Sequence, residues 1–252
     1  SGNEVGAMLL EYICSERTKK GTMPKNPIAV KTIVTTDIVN EIGKAYNVEI
    51  IDVLTGFKFI GEQIGLLEKK GEEERYIFGF EESYGYLSGG YVRDKDAVNA
   101  SMLICEMAAY YRTQGITLLQ ARENLYKKYG VYYHSLHSFT FEGESGMIKM
   151  NNIMNTLRND HLAEIAGLKV VRIDDYKLSI SKDVLTGVSS DITLPKSDVL
   201  AFFLEGGAKV IVRPSGTEPK IKTYYTAKAP TYEEATALEA KLSDGFSKLF
   251  LD

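Results

Sequence analysis

Tyr76-Ile77-Phe78-Gly79-Phe80-Glu81-Glu82-Ser83-Tyr84-Gly85 sets a short apolar run directly against acids, a hydroxyl and glycines. Tyr76–Phe80 predicts a strand, and Glu81–Tyr91 a loop rich in glycine and aromatic residues. The same grammar occurs twice upstream. Ile28–Val34 is β-branched and strand-like, and Asp37 stands where it caps a short helix through Tyr46. Val48–Val53 predicts the next strand, and Gly56 breaks the chain before a helix carrying Phe59, Ile60, Ile64 and Leu67 at helical spacing. Downstream, helices are expected near Asp96–Tyr111 and Thr117–Tyr129. Strands separated by helices predict an α/β three-layer domain with a mainly parallel mixed sheet. Ligands of such sheets sit beyond the carboxyl ends of the strands, which makes Thr55-Gly56 and Glu81–Gly85 the candidate site loops.

Around this frame, Asn3 is placed to cap an opening helix with Val5, Met8, Leu9, Tyr12 and Ile13 on one face. The charged run Lys69–Arg75 reads as a solvated loop. The pattern changes near Gly130. Val131–Phe141 is strand-like and Ser145–Asn159 helical, followed by short strands at Leu168–Ile173, Tyr176–Ser181, Leu200–Leu204, Lys209–Val212 and Lys220–Thr226. A last amphipathic helix covers roughly Thr231–Leu249. This predicts a second, α+β domain with a helix-backed antiparallel sheet, so that residues 1–130 and 131–252 form the two domains.

Composition narrows the function. The 252 residues are 44% hydrophobic and 25% charged, as expected of a chain that buries real cores. A net charge of -4 supplies no basic surplus for nucleic acid, and no apolar run is long enough to cross a bilayer. Cys14 and Cys105 lie in apolar helical stretches without a CxxC partner and read as buried free thiols. His134, His137 and His161 stand apart from any metal-spaced cluster and read as ordinary residues. The cytoplasm is the default location. The opening Ser1-Gly2-Asn3-Glu4-Val5 is expected to be a cut within a longer chain.

Two loops carry residues suited to chemistry. In Glu81-Glu82-Ser83, carboxylates accept from vicinal sugar hydroxyls and a serine donates or accepts; a solvated turn with two surface acids fits the same residues. In Arg213-Pro214-Ser215-Gly216-Thr217-Glu218-Pro219, the guanidinium offers a planar fork to a phosphate. Ser215 and Thr217 add hydroxyl donors, and Gly216 lets backbone amides turn inward; a plain hairpin turn is the alternative. In Arg93-Asp94-Lys95-Asp96, an aspartate most simply caps the next helix, while Lys95 or Arg93 is available to neutralise phosphate. Lys58, just past Thr55-Gly56, has the same two readings.

In their order along the chain these loops resemble the α-D-phosphohexomutases, over essentially its whole length. Thr55-Gly56-Phe57-Lys58-Phe59-Ile60-Gly61 is similar to the family's third-domain Thr-Gly loop. Phe80-Glu81-Glu82-Ser83-Tyr84-Gly85 is similar to its sugar-binding loop, with Phe80 where glycine is usual. Arg213–Pro219 is similar to the phosphate loop of its fourth domain. The resemblance implies reversible transfer between the 1- and 6-phosphates of a hexose, through a phosphoserine and a bisphosphorylated sugar. It implies that Glu81 and Ser83 hold sugar hydroxyls, and that Thr55 and Gly56 line the sugar site. It further implies that Arg213, Ser215, Gly216 and Thr217 clamp the phosphate not being transferred, with Lys95 near the reacting one.

The family's Thr-Ala-Ser-His-Asn-Pro serine loop and its Asp-x-Asp-x-Asp-Arg magnesium loop do not occur in these residues. Mg2+ and a hexose 1,6-bisphosphate activator are therefore expected of a full-length parent, not of residues in this chain. The expected partners are a hexose phosphate, glucose phosphate ahead of mannose or pentose phosphate, and the parent's N-terminal domains. A sugar-phosphate-binding module without catalysis is the competing reading. A nucleotide-binding α/β enzyme ranks below both, because no GxGxxG or GxxxxGK pattern is present.

Overall fold

The computed structural model describes residues 1–160 and 162–250. The chain forms two compact units, one covering Ser1–Gly130 and one beginning at Val131.

In the first unit, β1 (Ile28–Thr32), β2 (Glu49–Val53) and β3 (Tyr76–Glu81) run parallel, and β4 (Gly85–Leu87) folds back antiparallel on β3. The order β2-β1-β3-β4 makes a mixed sheet, joined by α1 (Gly2–Lys19), α2 (Ile38–Tyr46), α3 (Phe57–Glu68), α4 (Ala97–Thr113) and α5 (Leu118–Tyr129). β1 is buried along its whole length, as befits a strand flanked on both edges. Ile28, Val30 and Val53 pack with Ile60, Ile64 and Leu67 of α3. The helical spacing that predicted α3 is thus the spacing of its buried stripe.

The second unit opens with β5 (Val131–Thr140) and α6 (Glu144–Asn159). β6 (Glu164–Ile165), β7 (Leu168–Asp175), β8 (Ile180–Asp183), β9 (Ser189–Asp191), β10 (Leu200–Leu204), β11 (Lys209–Pro214) and β12 (Lys220–Ala229) follow, and α7 (Tyr232–Ser247) closes it. The antiparallel order is β5-β12-β11-β10-β7-β8-β9, with β6 paired to β7. Met154 and Leu157 of α6 and Leu242 and Phe246 of α7 cover Phe202, Val210, Val212 and Tyr225, giving a helix-backed sheet. Thr231 and Glu234 form a capping box that starts α7.

Several local expectations change. Ser1, not Asn3, caps α1, in a capping box with Glu4. Asn3 is buried inside the first turn, where its Oδ1 accepts from the Thr36 amide at 3.0 Å. Asp37 precedes α2 without capping it, because Lys31 takes its carboxylate at 2.9 Å. The stretch read as one loop from Glu81 to Tyr91 contains β4, a strand too short for periodicity to reveal. Tyr176–Ser179 is a turn, with Asp175 Oδ1 accepting from the Lys177 and Leu178 amides, so β8 starts only at Ile180. The end of the charged run is a 3-10 turn, Glu73–Arg75, whose arginine bridges Glu49, Glu72 and the Asn26 carbonyl. Phe57 is buried in α3 while Phe59 is only partly so. Cys14 is buried, but Cys105 faces outward on α4. His161 lies outside the described residues.

Candidate functional site

Parallel pairing puts the carboxyl ends of β2, β1 and β3 on one edge of the first sheet. Three connections therefore stand side by side: Leu54–Gly56 after β2, Ile33–Asp37 after β1, and the turn between β3 and β4. The predicted loops at Thr55-Gly56 and Glu81–Gly85 are brought to this common edge. The connection after β1, between them, was not singled out in the sequence; it contains no glycine or paired acids, and only the strand order reveals it.

Gly56 starts α3 with φ 117° and no side-chain cap, a conformation that residues with a β-carbon rarely adopt. Thr55 is half-buried beside it. Lys58 is exposed, its Nζ 4.8 Å from the centre of the Phe59 ring.

Glu81 pairs with Gly85, so Glu82-Ser83-Tyr84 is a three-residue hairpin turn closed by Tyr84 at φ 66°. A three-residue loop with its last residue left-handed is a favoured hairpin geometry. Glu81 is half-buried at the strand end, and a β-carbon at Gly85 would lie 2.8 Å from its Cγ and Oε1. Ser83 is exposed at the tip. Glu82 turns away from the tip and accepts from Thr32 Oγ1 at 3.4 Å. Phe80, the departure from glycine, is buried and stacked against Phe78 and Tyr86 at centroid distances of 5.4 and 6.3 Å. It anchors the base of the hairpin from inside.

Lys95 lies between β4 and α4, paired with Asp94 at 3.2 Å and 54% exposed. The Lys95 amide and then its ammonium hold the Asp94 carboxyl below its usual range. Asp96 is the helix cap, accepting from the Val98 and Asn99 amides. The Tyr91 hydroxyl, foremost, and these amides keep its carboxyl low. Arg93 is held by Glu68 at 2.7 Å.

In the second unit, Ser215–Pro219 joins β11 to β12. Ser215 Oγ accepts from the Thr217 amide at 3.4 Å and the Glu218 amide at 3.3 Å, while the Ser215 amide donates to the Lys220 carbonyl at 2.7 Å. Two amides thus point at one centre, with Gly216 and Thr217 exposed beside it. Arg213 stands opposite Lys222, which stands opposite Ser138. Directly opposed residues share a face, here the one facing away from buried Val212 and Ile221. Lys222 escaped the sequence reading. Its signal is the alternation Lys220-Ile221-Lys222, which gains meaning once the hairpin register is known.

Known proteins resemble this chain throughout. The family described as phosphoglucomutase/phosphomannomutase, alpha/beta/alpha domain III, matches residues 1–129, and the C-terminal domain of the same family matches residues 151–245. A phosphoglucomutase of Staphylococcus saprophyticus is 36% identical over 94% of this chain and 42% of its own length. That of Staphylococcus aureus strain bovine RF122 is 39% identical over 93% of this chain and 41% of its own. The chain therefore spans about two-fifths of the curated relatives it matches. Paramecium parafusin, a phosphoglucomutase in its open form, shares the fold with a TM-score of 0.67 at 18% identity, over 97% of this chain and 41% of that one.

Proposed function

Because the chain belongs to the phosphoglucomutase/phosphomannomutase family, we propose that it is the substrate-recognition part of a mutase interconverting hexose 1-phosphate and hexose 6-phosphate. Residues 1–130 act as the sugar-reading domain and residues 131–252 as the phosphate-holding one. The observation that carries this reading is the pairing of Arg213 with Lys222 on one sheet face, at the base of a hairpin whose amides converge on Ser215 Oγ. Two cations beside an exposed turn that carries hydroxyls suit an anion, and the Thr217 and Glu218 amides fix the turn by donating to Ser215 Oγ.

In the first domain, the Glu81 carboxylate accepts from adjacent sugar hydroxyls, Ser83 donates or accepts at the hairpin tip, and Thr55 and Gly56 line the same edge. In the second, the Arg213 fork, the Ser215 and Thr217 hydroxyls and the Gly216 backbone hold the phosphate not being transferred. Lys95 supplies positive charge toward the other phosphate when it leaves Asp94. Glucose phosphate is the favoured substrate, and the reaction passes through a phosphoserine and a bisphosphorylated sugar. Phosphoryl transfer of this kind depends on positioning and charge neutralisation.

The Mg2+ of this reaction class is expected to be held by a full-length parent's own metal loop. Among the described residues, no three His, Cys, Asp or Glu side chains come together as ligands.

Calorimetry with glucose 6-phosphate tests the proposal. Arg213→Ala should weaken binding at least tenfold, the scale of a lost charge-assisted contact. Lys25→Ala, at an exposed position outside the loops, should leave it unchanged. Equal losses in the two variants would remove the Arg213 loop from the site.

A further inference from the structure

Of the two adjacent acids in the hairpin, one is committed inward. Thr32 ends β1 with no exposed surface, and its hydroxyl lies 2.7 Å from that of equally buried Thr35. Thr32 Oγ1 donates to Glu82 Oε2 at 3.4 Å, so Thr35 is left to donate to Thr32. The other side of the turn is braced by α1. A side chain at Gly2 would run into the Glu82 carbonyl and come within 3.0 Å of the Tyr84 amide. Tyr86, one residue past Gly85, donates its hydroxyl to the Gly2 carbonyl at 3.0 Å. The turn is thereby held from below through a side chain and from beside through the backbone.

We propose that Glu82 is a positioning residue. Its carboxylate, held by the Thr32–Thr35 hydroxyl pair, sets the Glu82-Ser83-Tyr84 turn so that Glu81 and Ser83 reach the ligand. The two acids divide the work. Glu81 stands at the strand end on the outer edge, while Glu82 spends its charge on the end of β1. The proposal rests on the sugar-reading role of Glu81 and Ser83 given above. It extends that role to Glu82, Thr32 and Thr35, which touch no ligand themselves. A misplaced binding group loses much of its affinity even when its own chemistry is intact.

The test is a set of variants of the whole chain, each titrated with glucose 6-phosphate and with inorganic phosphate. Glu82→Ala and Thr32→Val should each weaken glucose 6-phosphate about tenfold, the scale of one lost hydrogen bond to a charged group. Neither should alter inorganic phosphate. The double variant should lose less than the sum of the two single losses, because Thr32 and Glu82 share one contact. Glu82→Gln, which keeps an accepting oxygen, and Thr32→Ser, which keeps the hydroxyl, should bind as the parent does. A Glu82→Gln variant as weak as Glu82→Ala would overturn the positioning role and make the carboxylate charge itself a sugar contact. Glu81→Ala separates the two levels. If it weakens glucose 6-phosphate and Glu82→Ala does not, the positioning role alone fails. If neither weakens it, the sugar reading fails and this one with it. Should Glu82→Ala not fold, amide NMR of Thr32→Val decides: unmoved Ser83 and Tyr84 resonances would sink the proposal, displaced ones support it.

Discussion

Lys31 lies on β1 with 1% of its side chain exposed, between Asp37 at 2.9 Å and Asp52 at 2.7 Å. Burial opposes its charge, but the two carboxylates outweigh that and hold the ammonium above the ordinary lysine range. A group raised on folding contributes stability that is fully present below the unfolded value, about 10.4, and is lost as pH rises through the folded one. Urea melts should therefore show stability falling above about pH 10.5. Lys31→Met should make that slope shallower without removing it, because burial also raises the Tyr76 and Tyr225 hydroxyls. At neutral pH the same variant should cost about 3 kcal/mol, the low end for removing one partner of a buried pair. The half-exposed Asp52 keeps water as a substitute, which is why the low end applies. The cysteines offer a second test. Cys14 is fully buried and burial, with Glu11 nearby, pushes its thiol up to about 12. Cys105 is exposed. A thiol-disulfide reagent should consume one thiol quickly in the native chain and the second only after denaturation. Cys105→Ser should abolish the fast phase. Both thiols looked alike in the sequence, because an apolar stretch of helix does not announce which of its faces meets the core.

At the scale of elements, α1 organises the first unit through its acids. Glu11 accepts from the Tyr46 and Tyr129 hydroxyls and the Lys128 ammonium, each at 2.9 Å. Glu4 accepts from Arg122 at 3.1 Å and Tyr126 at 3.0 Å. α2, α4 and α5 are thereby drawn onto one helix, with Tyr12 donating to Glu106 of α4 at 2.7 Å. Glu11→Ala leaves two part-buried tyrosine hydroxyls unpaired, Lys128 being exposed, and should lower stability by about 2 kcal/mol in denaturant titration, since each such group costs about 1 kcal/mol or more. Glu16→Ala, whose partners Lys19 and Lys20 are exposed, should change it by under about 1 kcal/mol. The helices and long strands were legible because their apolar spacing repeats over several turns. β4 and β9 were not. Each has three residues, too few for alternation, and exists through its pairing with β3 or β8.

At the scale of the whole molecule, the chain covers about two-fifths of its curated relatives, and its residues include neither a Thr-Ala-Ser-His-Asn-Pro nor an Asp-x-Asp-x-Asp-Arg loop. These 252 residues should therefore show no mutase turnover with magnesium and glucose 1,6-bisphosphate in a coupled assay. Measurable turnover would place a phosphoryl acceptor within them. Element order, the two layer patterns, the Glu81–Gly85 and Arg213–Pro219 loops and the family could all be read along the chain. Turn chemistry and hydrophobic period are local properties, printed in consecutive residues. Strand order and register are not local. They alone brought the connection after β1 to the edge shared with Thr55-Gly56 and the hairpin, set Lys222 opposite Arg213, and turned Glu82 inward while leaving Glu81 at the edge. Those outcomes come from pairing between residues far apart in sequence, where neighbouring letters carry no record of which strand lies alongside.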